Sequence, residues 1–181
     1  MTAVDDADPP GAVAPPRSAE PQLDFADFYQ SHFHRLAVQL YAYLGDHAEA
    51  QDLTQEAFCR LLERWNRISG YDDPVAWVRR VAWNLATSRL RRIRTVARHL
   101  ARQRPEHVPG PEPDRLALLT ALATLSANHR RAIVLHYLAH LQIAEIADQL
   151  GVPEGTVRSW LSRGRTALAT YFTERQEASH A

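Results

Sequence analysis

Apolar residues recur along most of the chain with the period of a helix, and nowhere with the two-residue period of a strand. Phe25 to Leu44 reads as one amphipathic segment that Gly45 closes as a left-handed C-cap. Asp46 is placed to cap the next helix, in which Leu53, Ala57, Leu61 and Trp65 recur at i, i+4. The loop Ser69-Gly70-Tyr71-Asp72-Asp73 follows, and Pro74 suits the first turn of a long third helix, where a missing N–H is no loss. Further on, the pattern predicts four shorter helices, broken near Ser126, His140 and Gly151. The expected fold class is all-α.

The prolines divide this helical chain. Nine of the eleven lie in two short stretches, Met1–Gln22 and Arg104–Asp114. The first, rich in Ala, Asp and Ser, predicts a disordered N-terminal tail over 1–22. The second predicts a semi-rigid linker over 104–114. Two small helical domains remain, 23–103 and 115–172, with a short C-terminal tail over 173–181.

Composition adds little until charge is followed along the chain. The 181 residues hold 21 acids and 21 basic residues, and every basic residue is arginine. Met1–Phe58 carries a balance of −8 and Cys59–Arg104 a balance of +9. Such segregation points to separate binding faces, one of them for a polyanion. Other classes fall away. No apolar run is long enough to span a membrane, and acidic Met1–Asp8 lacks the basic start of a secretory signal. A single cysteine, Cys59, excludes a disulfide framework and a cysteine-cluster zinc site. No Gly-rich phosphate loop, GxSxG elbow or HExxH is present, and His32-x-His34 and His136-x3-His140 stand without a neighbouring carboxylate or cysteine. The expectation is a cytoplasmic protein with no catalysis of its own, no metal and no cofactor.

The sharpest motif is IAEIADQLGVPEGTVRSWLS, Ile143 to Ser162. A helix-turn-helix needs a small residue where its helices touch (Ala147) and a glycine for the left-handed turn residue (Gly151). Ile146, Leu150, Val152, Val157 and Leu161 fill the apolar offsets of its shared core. The second helix then presents Thr156, Arg158, Ser159, Ser162, Arg163 and Arg165 outward, side chains able to reach phosphates and base edges in a major groove. A second signal is Pro74–Arg104, with nine arginines and no acid. At about 100° per residue, Trp77, Arg80, Asn84, Ser88 and Arg91 share one narrow arc. An aromatic, an amide and arginines on one arc suit single-stranded or distorted nucleic acid. A third signal is acidic: Glu49, Asp52, Glu56 and Glu63 share a face with Cys59, opposite the Leu53/Ala57/Leu61 stripe.

Taken in order, these residues resemble the extracytoplasmic-function (ECF) sigma factors of bacterial RNA polymerase. Ala50 to Phe58 (AQDLTQEAF) resembles the segment that holds core polymerase, and Val75–Ala86 through Arg91-Arg92 resembles the −10-reading helix. Leu125–Leu138 with the helix-turn-helix resembles the −35-reading domain. The resemblance covers roughly Asp24 to Tyr171. It implies that Asp52, Leu53, Gln55, Glu56 and Cys59 face the clamp helices of core RNA polymerase, whose flap is a second contact. It further implies Trp77, Arg80, Asn84, Arg91 and Arg92 along the −10 element of promoter DNA, with the Tyr71–Asp73 loop holding a flipped base. Thr156, Arg158, Ser159, Ser162, Arg163 and Arg165 would sit on the −35 element. An anti-sigma factor is the further partner the resemblance implies.

This sequence departs from the family pattern at Ser88, where an acid is common, and at Trp160, where a base is common. His140-Leu141-Gln142 also replaces the usual Gly-(Leu/Tyr)-Ser ahead of the helix-turn-helix. Two other functions fit parts of the chain. A stand-alone helix-turn-helix regulator needs neither the acidic helix nor the Trp/Arg stripe. A sigma-like decoy that binds only an anti-sigma factor has no use for Arg158, Arg163 and Asn84.

Overall fold

The computed structural model describes residues 24–99 and 113–180. The tail expected over 1–22 and the linker residues 104–112 lie outside them. Eight helices and no strand occur among the described residues: α1 (Phe25–Leu44), α2 (His47–Leu62), α3 (Trp65–Ile68), α4 (Pro74–His99), α5 (Pro113–Thr124), α6 (Ala127–Tyr137), α7 (Ile143–Leu150) and α8 (Glu154–His180).

Local chemistry explains most of these boundaries. Gly45, at φ 81°, ends α1 and donates its N–H to the Tyr41 carbonyl at 2.8 Å. The Asp46 carboxylate accepts from the Glu49 N–H at 3.0 Å and starts α2. Asp73 does the same for α4, accepting from the Ala76 N–H at 2.8 Å just ahead of Pro74. Ser126 caps α6, and the Glu145 carboxylate accepts from the Gln142 N–H at 2.6 Å at the start of α7.

Three features depart from the expected pattern. The single-turn α3 follows an N–H to carbonyl bond from Arg64 to Leu61, and is too short to leave a periodic trace. Helix α5 begins inside the stretch expected to be linker, with Pro113 in its first turn. Helix α8 runs on through Thr173–His180, expected to be a tail. No glycine or proline follows Gly164 to stop it, and Glu174–Ala178 are mostly good helix formers.

Helices α1 to α4 pack around Leu40, Tyr43, Ala57, Phe58, Leu61, Ile68, Val78, Ala82 and Trp83, all buried. Rings of Phe28 and Trp65 lie 5.1 Å apart, as do Tyr29 and Phe58, and so join α1 to α2 and α3. A forked ion pair ties α4 to α2: Arg89 Nε lies 2.7 Å from Glu49 Oε1 and Nη2 3.0 Å from Oε2. Helices α5 to α8 enclose Ile133, Val134, Leu135, Ile146, Val157 and Leu161. Gly164 is needed here, because a Cβ at that position would stand 2.8 Å from Ile133 Cγ1. Its bare backbone lets α8 lie close against α6.

The two units touch. Helix α1 lies against α5 and α6, and the hydrophobic core is continuous between them. The buried Arg130 guanidinium donates to the Tyr43 carbonyl of α1 at 2.9 Å, and to Ala123 and Leu125 at 2.7 and 3.3 Å. Tyr43 is among the last residues of α1, whose final turn holds no basic residue of its own. Arg130 therefore supplies both a donor and a cation to the negative end of that helix.

Candidate nucleic-acid and polymerase interface

Helix α2 turns its acidic face outward. Asp52, Gln55, Glu56 and Cys59 are exposed, opposite buried Ala50, Ala57 and Leu61. Glu56 pairs with Arg60 at 2.6 Å and Gln55 accepts from the Tyr29 hydroxyl at 2.9 Å. Leu53 is a correction: at 9% exposure it belongs to the apolar stripe and packs in the core. The resemblance places it toward the clamp helices, but burial of the Leu53/Ala57/Leu61 stripe turns this side chain inward. Glu49 is half-buried and engaged by Arg89, so it braces α4 instead of extending the acidic face. Leu62, 55% exposed and on one side of α2 with Gln55 and Cys59, adds an apolar group that the charge pattern did not reveal.

Helix α4 presents Asn84, Ser88, Arg91 and Arg92 to solvent, with Arg80 half-buried on the same arc. Trp77 does not join them. It is 6% exposed and part of the hydrophobic cluster, as is Trp83 at 0%. An indole withdraws 150–250 Å² on burial, roughly 4–6 kcal/mol at the usual coefficient, so a core that can enclose it outweighs its place on a polar arc. The Tyr71–Asp73 loop is anchored by the Asp73 cap, with Tyr71 half-buried and Asp72 exposed.

The helix-turn-helix has the geometry its spacing requires. Ala147 and Ile146 are buried at the helix contact, and Gly151 takes φ 65° in the turn. Val157 and Leu161 bury one side of α8, leaving Arg158, Ser162, Arg163 and Arg165 exposed and Thr156 and Ser159 half-exposed opposite. Arg158 folds back to Glu154, Nη2 to Oε2 2.7 Å, so a nucleic acid would have to displace that pair. His140, just ahead of α7, adopts φ 57°, the left-handed region where glycine is at ease.

Sequence reasoning missed a set of residues between the units. Arg79 of α4 donates from Nε to Gln149 Oε1 of α7 at 3.1 Å. The Arg131 guanidinium carbon stands 5.4 Å from the Trp83 ring centroid, and that of Arg115 5.3 Å from Tyr41. Burial pushes the Arg79 and Arg131 guanidiniums below their usual range, with Asp73 and Glu145 opposing the shift at Arg79. Only the Arg79 position carried a signal, as part of an arginine-rich run; the others sit in ordinary helical sequence.

Known proteins match the chain in the same order. The family model for Sigma-70 region 2 covers residues 28–104, and that for Sigma-70 region 4 covers 115–168. The ECF RNA polymerase sigma factor SigC of Mycobacterium tuberculosis is 33% identical over 133 residues, 70% of this chain and 72% of that protein. SigL from the same species is 35% identical over 138 residues, 72% of this chain and 78% of that one. In structure, the sigma factor RpoE of Bartonella quintana, solved with the anti-sigma factor NepR, aligns with a TM-score of 0.73 at 23% identity. That alignment covers 83% of this chain and 97% of RpoE. CnrH, solved with the cytosolic domain of CnrY, aligns at a TM-score of 0.61 and 19% identity, covering 83% of this chain and 88% of CnrH. These two structures bear on the fold alone. With both region models matched in order and relatives above 30% identity, the chain belongs to the sigma-70 family as an ECF sigma factor, a subunit that directs RNA polymerase to promoters.

Proposed function

We propose that the three exposed faces divide the work of initiation by helix: α2 docks on core polymerase, α4 holds the −10 element and α8 reads the −35 element. The observation that carries this is the exposure of Asp52, Gln55, Glu56 and Cys59 on α2, while the exposed Arg91 and Arg92 lie on α4 and the exposed Arg158, Arg163 and Arg165 on α8. Asn84, Arg80, Arg91 and Arg92 serve the −10 strand; Thr156, Arg158, Ser159, Ser162, Arg163 and Arg165 serve the −35 groove. Polymerase supplies the chemistry, so the chain needs none of its own, and it works in the cytoplasm where polymerase and promoter meet. No helix among the described residues is long and apolar enough to cross a membrane. RpoE was solved in complex with the anti-sigma factor NepR, and we extend an anti-sigma partner to this chain.

The test is charge reversal on α2. Asp52→Arg with Glu56→Arg changes two exposed side chains, so folding is little affected while co-purification with core polymerase is lost. Recovery of the double variant with core at wild-type yield would reduce the face to ordinary solvated charge.

A further inference from the structure

We propose that Glu49 is a positioning residue for promoter opening: its fork with Arg89 sets the angle of the outer half of α4, which holds the −10 strand. The pair joins two helices across forty residues of sequence, Arg89 Nε to Glu49 Oε1 at 2.7 Å and Nη2 to Oε2 at 3.0 Å. Both partners are set up for it. Glu49 stands in the first turn of α2, where its N–H is already tied to the Asp46 carboxylate at 3.0 Å. Arg89, five residues beyond Asn84, projects about 140° away from it, off the DNA-facing arc.

The outer half of α4 needs such a tie. Trp77, Val78, Ala82, Trp83 and Ala86 anchor the helix in the core, and full burial stops there. From Thr87 to Ile93 no side chain is fully buried, Leu90 is the last to pack on the core, and Ile93 is exposed. At about 1.5 Å per residue, Arg91 lies about 7.5 Å past Ala86, so a tilt of about 10° shifts it by about 1 Å. Misplacement on that scale can cost a site up to about 100-fold. Exposed ion pairs add little to stability, and the side chains of Arg89 and Glu49 keep 43% and 22% of their exposure. What the fork supplies is direction, which two parallel bonds fix and a single bond does not.

The consequence rests on reading α2 as the polymerase-docking helix and α4 as the −10 helix. Asp52 and Glu56 follow Glu49 at i+3 and i+7, about one and two turns further along α2. Once polymerase holds Asp52 and Glu56, the fork carries the orientation of α2 into α4. Ser88, Arg91 and Arg92 then meet the unpaired strand at a fixed angle.

The test uses holoenzyme assembled from the full-length chain, with opening timed by permanganate reactivity of promoter thymines. Glu49→Gln and Arg89→Gln should each slow opening about tenfold, and the double variant no more than either alone. The exchange Glu49→Arg/Arg89→Glu, which rebuilds the fork with its charges swapped, should recover most of the rate. Yield with core polymerase, affinity for a −35-only duplex and helix content should stay at wild-type levels. The sign is diagnostic. Removing an acid beside an arginine-rich helix strengthens its attraction for a polyanion, so slowing by Glu49→Gln cannot be lost attraction. A wild-type rate for Glu49→Gln overturns the proposal. A further tenfold loss when Arg89→Gln is added to Glu49→Gln also overturns it, by placing Arg89 on the DNA itself. Asn84→Ala separates the positioning from the reading beneath it. Thymine reactivity that Asn84→Ala leaves unchanged strikes α4 as the −10 helix. Slow opening with Asn84→Ala beside a wild-type rate with Glu49→Gln strikes the positioning alone.

Discussion

Arg130→Met removes the one buried cation that three backbone carbonyls share. The donors reach Tyr43, Ala123 and Leu125 at 2.9, 2.7 and 3.3 Å, so two bonds are strong and the third is weak. A hydrogen bond to a charged group is worth about 1.5–3 kcal/mol net, and a buried carbonyl left without a donor costs about 1–3 kcal/mol. Two strong bonds lost therefore represent about 3–6 kcal/mol. Methionine fills much of the same volume and spares the burial of a guanidinium, which returns about 1–2 kcal/mol. The expected destabilisation is about 2–4 kcal/mol, a large part of the 5–15 kcal/mol that holds a domain folded. At about 2–4 °C per kcal/mol for a chain of this length, the melting midpoint should fall by about 5–15 °C. Arg130→Lys keeps the charge but cannot fork, so it should fall between. Urea titration followed by far-UV circular dichroism gives the numbers. A loss below about 1 kcal/mol for Arg130→Met would mean that water already satisfies those carbonyls, and the reasoning fails.

Other residues make separable predictions. If Arg158 or Arg163 reads a base, its alanine variant should weaken holoenzyme binding to a cognate −35 element about 10- to 100-fold and a scrambled one little, whereas Arg165→Ala should weaken both and flatten the salt dependence. Equal losses on both DNAs for Arg158→Ala and Arg163→Ala would make them phosphate anchors. Asn84→Ala should leave closed complexes intact and lower permanganate reactivity of promoter thymines; unchanged reactivity would remove Asn84 from the melted strand. Trp77→Ala, by contrast, should act through stability, losing about 3–5 kcal/mol in thermal unfolding as a core truncation does. His140→Gly relieves a left-handed residue and should raise stability by about 1 kcal/mol after the entropy of glycine is counted; a lower melting temperature would show that the His140 side chain stabilises the turn.

Helix boundaries were legible where a single residue determines them. Gly45, Asp46, Pro74, Ser126 and Gly151 each act through their own backbone geometry or a bond to a nearby N–H, and each lies where its chemistry predicts. The helix-turn-helix was legible for the same reason, because Ala147, Val157 and Leu161 meet across a short turn. Legibility ended where burial depends on helices distant in sequence. Trp77 and Asn84 occupy one arc, yet only the core packed around α4 determines that Trp77 is enclosed and Asn84 is not. Glu49 looks like any member of an acidic face until Arg89, forty residues on, is seen to grip it. Arg130 and Arg131 carry no local signature of their contacts across the units, since the Tyr43 carbonyl and the Trp83 ring belong to the other unit.

On the proposed division of work, the chain gives core polymerase its promoter through three distinct faces. Run-off transcription with purified core polymerase and a panel of candidate promoters tests it most directly. Specific transcripts are expected with the wild-type chain on a subset of promoters. They should be lost for Asp52→Arg/Glu56→Arg and recovered only in part at high concentration for Arg158→Ala. Transcripts that form equally without the chain, or that survive charge reversal on α2, would contradict it.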